Sequence, residues 1–142
     1  MINKFSISIG LANILFFCSC NSTSSHTVEY VAIYKRDTAY LTLQMYETSY
    51  HGTLEIHGRG TDKEFGSVQG NIEGDTLLGD FLYKPYKAKL EKRRPLVLLR
   101  RENTLIQGSG SEQVYMGISY YSPKSIHFDN PKFVFKKSKI RY

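Results

Sequence analysis

Tryptophan is absent from this sequence, cysteine occurs twice, and proline and histidine four times each. Both cysteines, Cys18 and Cys20, fall in one short stretch near the N-terminus. The chain beyond Cys20 therefore has no thiol, which excludes disulfide staples, cysteine-based zinc sites and cysteine nucleophiles from any body folded there. Long apolar runs are equally scarce. The one that exists, Phe5–Phe17, is too short to cross a bilayer as a stable helix. Beyond it no apolar residues recur three and four apart, so amphipathic helices are not expected.

What the N-terminus does contain is an export pattern. Met1–Lys4 carries one positive charge, Phe5–Phe17 is apolar, and the stretch closes on Phe17-Cys18-Ser19-Cys20. A short charged segment, an apolar segment and a small residue before a cysteine make a lipoprotein signal peptide. Residues 1–19 are read as that signal, with Cys20 the acylated first residue of the mature chain. Residues 20–27, beginning Cys-Asn-Ser-Thr-Ser-Ser, read as a flexible polar tether, and 28–142 as a single domain. No acidic run follows Cys20, so the reading is a bacterial envelope protein facing the periplasm rather than the cell surface.

The 142 residues carry a net charge of +6, unevenly spread. Residues 20–83 sum to −5 and residues 84–101 to +7. The second group holds Lys84, Lys87, Lys89, Lys92, Arg93, Arg94, Arg100 and Arg101. On a tethered protein these suit anionic headgroups or an acidic envelope partner. Nucleic acid is not expected in an exported compartment.

From about residue 28 the apolar pattern has period two. Ala39, Leu41 and Leu43 alternate with Tyr40, Thr42 and Gln44, Leu54 and Ile56 with Glu55 and His57, and Val68 and Ile72 with Gln69 and Glu73. Such alternation describes strands with one buried and one wet face. The 11 tyrosines and 8 phenylalanines suit strands as well. Three stretches punctuate the pattern with turn chemistry: Lys35-Arg36-Asp37-Thr38, Glu73-Gly74-Asp75-Thr76 and Arg101-Glu102-Asn103-Thr104. Asp and Asn suit such turns because they tolerate left-handed backbone. Strands are expected near 28–34, 38–47, 50–58, 65–73, 75–83, 95–101 and 103–109, with a last pair around 114–120 and 126–136. A helical turn has room only at 86–94. A meander of about eight strands removes its edges by closing on itself. The expected fold is a small all-β, up-and-down barrel of the lipocalin or avidin type, with a two-sheet sandwich as the alternative. Gly52, Gly70 and Gly79 would let strands coil at barrel corners. Inward Leu41, Leu43, Leu54, Ile56, Val68, Ile72, Phe81 and Leu98 are bulky enough to fill much of the interior.

Asp37-Thr38-Ala39, Gly52-Thr53-Leu54, Gly66-Ser67-Val68-Gln69-Gly70 and Gly74-Asp75-Thr76-Leu77-Leu78-Gly79-Asp80-Phe81 together resemble a family of small β-rich lipoproteins common in Bacteroidota. Leu105-Ile106-Gln107-Gly108-Ser109-Gly110 and Phe133-Val134-Phe135-Lys136-Lys137 fit the same pattern. The resemblance covers most of the mature chain and implies the fold and the lipidated N-terminus. It implies no activity, and the basic segment 84–101 departs from it.

No stretch offers a convincing reaction centre. His51, Glu55 and His57 share a strand face, but the wet one, and His51 is too far from His57 to share an ion. Asp75 belongs to a turn and Asp80 has no evident partner. Ser109 and Ser111 lack the surroundings of a nucleophile that His127 might activate. Gly58-Arg59-Gly60 lacks the glycine pattern and helix of a phosphate loop. Tyr115, Tyr120 and Tyr121 offer rings that stack on sugars or line a barrel mouth, with strand packing the simpler use. No catalytic residue, metal or cofactor is assigned. The expectation is a non-enzymatic binding module for a small ligand or envelope component; a structural or inhibitory interaction module with a filled barrel is the alternative.

Overall fold

The computed structural model describes residues 26–138; the leader, Cys20 and most of the tether lie outside them. Six long antiparallel strands follow one another: β1 (His26–Tyr34), β2 (Asp37–Met45), β3 (Ser49–His57), β4 (Lys63–Glu73), β5 (Thr76–Pro85) and β6 (Lys92–Arg101). A short β7 (Thr104–Gln107) continues the series. The chain then leaves the wall as a separate hairpin, β8 (Glu112–Tyr115) and β9 (Ile118–Tyr121), makes one 3-10 turn at Pro123–Ser125, and returns as β10 (Val134–Lys137). Between β7 and β1, β10 pairs Phe135 with Leu105 and Lys137 with Tyr30. Eight strands thus close into an antiparallel barrel, and the open sandwich is excluded.

Alternation produces this wall directly. Ala39, Leu41 and Leu43 of β2 point inward and are buried, as are Tyr50, Leu54 and Ile56 of β3. Phe81, Phe133 and Phe135 meet Leu41, Leu43, Val68, Leu77, Leu98 and Leu105 at the centre, all fully buried. The interior is packed with side chains. Ile72, expected inside, is only partly buried and packs against the rim of this cluster. Strand curvature comes from inward-facing glycines. A Cβ at Gly66 would lie 1.9 Å from the Leu82 carbonyl oxygen, and one at Gly70 2.0 Å from that of Leu78. Only glycine lets adjacent backbones approach so closely.

Two expectations need correction, and the one stretch with room for a helical turn takes another form. The hairpin turns fall where predicted, at residues 35–36, 74–75 and 102–103, but Asp and Asn do not supply the left-handed residue. Lys35 (φ 56°), Gly74 (φ 59°) and Glu102 (φ 49°) do. Segment 86–94 forms no helix: Ala88 N–H bonds the Pro85 carbonyl, Lys87 is left-handed, and β6 begins at Lys92. The expected strands at 114–120 and 126–136 dissolve into the β8–β9 hairpin, turning at Met116-Gly117, and the four-residue β10.

The register gives the barrel two distinct ends. At one lie the turn 35–36, the loop 58–62, the loop 86–91 and Lys132, just before β10. At the other lie the loop 46–48, the turns 74–75 and 102–103, and His26, where the chain enters β1.

Candidate functional site

The end away from His26 collects the basic loops. Lys84, Lys87, Lys89, Lys92, Arg93 and Arg94 all lie there, beside Lys35, Arg36, Arg59 and Lys132. Arg100 and Arg101 do not join them. They sit at the far end of β6, about 20–30 Å away at the usual rise per strand residue. The basic segment of the sequence is therefore two separate groups.

A recess of about 480 Å³ opens at this end, floored by Ile56 and bounded by Arg59, Lys63, Glu64, Tyr86, Arg94 and Lys132. Arg94 points inward and roofs the core. Its guanidinium lies 4.5 Å from the Tyr83 ring centroid and 5.1 Å from that of Phe81, and donates to Glu64 at 2.7 Å. Cation–π contact and a charge-assisted bond hold it there together. Arg93 points outward and meets Asp80 at 3.2 Å, and Lys132 meets Asp37 at 3.3 Å. Arg93, Arg94 and Lys132 are thus committed within the protein. Among the described residues Lys84, Lys87, Lys89 and Lys92 form no ion pair. The outward charge of this end rests on those four lysines with Lys35, Arg36 and Arg59.

The remaining candidates sort plainly. Glu55 on the outer wall accepts from Lys63 and lies 2.5 Å from His57 Nε2. Lys63 first and His57 second hold its carboxyl below the usual range. His51 stands apart, stacked on Tyr46, and no metal-binding cluster is found among the described residues. Asp75 sits in its turn, 3.8 Å from Arg101, and forms no carboxylate pair with Asp80. Ser109 and His127 do come together, in an isolated bridge with Oγ 3.4 Å from Nε2. Both are exposed, and no carboxylate is hydrogen-bonded to the ring among the described residues, so the pair fastens the excursion after β7 to its return. Ser111 is elsewhere, its N–H bonded to Ser125 Oγ. Arg59 serves the barrel mouth rather than a phosphate loop.

The three tyrosines lie away from the mouth, on the hairpin. Tyr115 is 68% exposed near its tip, Tyr120 donates to Gln113, and Tyr121 is half-buried, which raises its phenol pKa. The hairpin packs on the outer face of β5 and β6, where it covers Pro95 and Val97. Sequence reasoning missed this cover, although a signal was present. The run Pro95-Leu96-Val97-Leu98-Leu99 is apolar without alternation, as expected of a strand buried on both faces. A second recess, of about 600 Å³, lies between β9 and the outer face of β3–β5.

A comparison of the chain with family models, curated proteins and solved structures finds no match.

Proposed function

We propose that this is an exported, lipid-anchored envelope protein that acts by binding rather than catalysis, and that its working end is the basic one opposite the anchor. The supporting observation is polarity. The chain enters β1 at His26, at one end of the barrel, whereas the unpaired lysines of the 84–92 region project from the other. A barrel held by Cys20 through a short tether would turn those lysines away from its own membrane. That favours an acidic envelope partner over the headgroups of the anchoring leaflet. The packed interior favours binding on the outside of the barrel over a small apolar ligand within it.

Two measurements test this reading. Cys20→Ala should abolish acyl labelling and release the chain from the membrane fraction; labelling that survives removes the anchor. Replacing Lys87, Lys89 and Lys92 together by Gln should weaken binding to immobilised dextran sulfate about tenfold at physiological salt. Neutralising Arg101, Lys136 and Lys137 at the other end should change it less than about twofold. Equal losses from both sets would mean non-directional attraction and would end the proposal.

A further inference from the structure

The recess between β9 and the barrel wall has a chemistry unlike that of the basic end. Its floor is the outer face of β3–β5, where His51, Gln69 and Asp80 pair across three adjacent strands, as do Ser49, Asn71 and Leu78. Adjacent strands are about 4.8 Å apart, so the two rows form a flat grid, polar except at Leu78, about the size of one sugar ring. Tyr120 and Ile118 of the hairpin overhang it.

Three features narrow what such a surface takes. Its only charged group, Asp80, is paired with Arg93, so the recess has no free cation for an anion and no free carboxylate for a cation. Its lining sets amides, an imidazole and a carboxylate beside the apolar surface of Leu78, Ile118 and Tyr120, a mixture that suits a ligand carrying both hydroxyls and an apolar face. Amides and carboxylates together both donate and accept, and a hydroxyl requires both. Tyr120, 40% exposed, presents a ring whose face suits the apolar C–H face of a pyranose while its hydroxyl stays on Gln113. We propose that this cleft binds a neutral saccharide, with Tyr120 stacking on a sugar ring and Gln69, Asn71 and Asp80 bonding its hydroxyls. The site is independent of the basic end and stands or falls without it.

The test uses the full chain in detergent against an array of neutral oligosaccharides covering gluco, galacto, manno and N-acetylhexosamine units, followed by saturation-transfer NMR on the best binder. At least one glycan should bind saturably. Tyr120→Ala should weaken it about tenfold, and Tyr120→Phe less than about twofold, because the ring and not the hydroxyl makes the contact. Asn71→Ala, at an exposed position on a long strand, should cost about fivefold while leaving the fold intact by circular dichroism. Met116→Ser at the hairpin tip should change nothing. Failure of the whole array to bind overturns the proposal, as does binding indifferent to both Tyr120→Ala and Asn71→Ala.

Discussion

The barrel wall from β1 to β6 and the excursion from Gly108 to Lys132 are built on different terms. In the wall each strand runs nine residues or more, β2 to β5 are paired along most of their length on both sides, and alternate side chains or glycines face one shared core. The excursion holds two four-residue strands paired only to each other, one 3-10 turn and one bridge. It rests on the outside of a surface already complete. Val97 marks the boundary: it is 4% exposed beneath the hairpin yet lies outside the cluster that fills the barrel. Cooperative structure ought to reside in the wall, with the excursion free to open alone.

The largest test of that division falls in the core. Phe135 is 1% exposed and sits on the four-residue strand that closes the barrel, packed against Phe133 with ring centroids 5.7 Å apart. Phe135→Ala should cost about 3–5 kcal/mol and lower the urea midpoint for the whole molecule, with fluorescence and circular dichroism transitions moving together. A loss confined to the closing seam, with β2–β5 unaffected, would show that the wall is not one cooperative unit.

A smaller effect is expected beneath the hairpin. Val97→Asp buries a carboxylate against Pro95, Tyr121 and Ile126. The hairpin should lift rather than the barrel unfold, at a cost of about 2 kcal/mol. Hydrogen exchange should quicken at 112–121 and stay slow in β2–β5. Exchange that rises everywhere would erase the distinction between the two regions.

The same division explains what the sequence made legible. Period two is readable when one face is buried over many residues, and β2, β3 and β4 were found within two residues at each end for that reason. The packed interior followed from Leu41, Leu54, Val68 and Phe81. The hairpin did not follow, because Val114 and Ile118 are exposed and Tyr121 packs on a neighbour remote in sequence. No local pattern encodes such a contact except the doubly covered run at Pro95–Leu99. Ion pairing was equally hidden. Arg93 and Arg94 read as members of one basic cluster, yet successive residues on a strand face opposite ways. One therefore serves Asp80 outside and the other Glu64 at the mouth. Charge counted along the sequence overstated what that end offers a partner.

The smallest effect probes the wall's wet face, where the division predicts that little is stored. Glu55 joins Lys63 and His57 across β3 and β4, and its carboxyl is held below the usual range chiefly by Lys63. A carboxyl with a lowered pKa in the folded state contributes stability above its unfolded value, and that stability is lost as pH falls through the folded value. The side chain is 29% exposed, so solvent screening keeps the contribution below about 1 kcal/mol. Glu55→Gln should therefore lower stability slightly at pH 7 and 150 mM salt. The difference from the unaltered chain should shrink as pH falls below the ordinary glutamate value of about 4.3 and vanish only once pH passes the lower folded value, where Glu55 is protonated in both states, and it should also shrink in 1 M salt. A loss comparable to that of Phe135→Ala would mean that the outer face, and not only the core, holds the barrel shut.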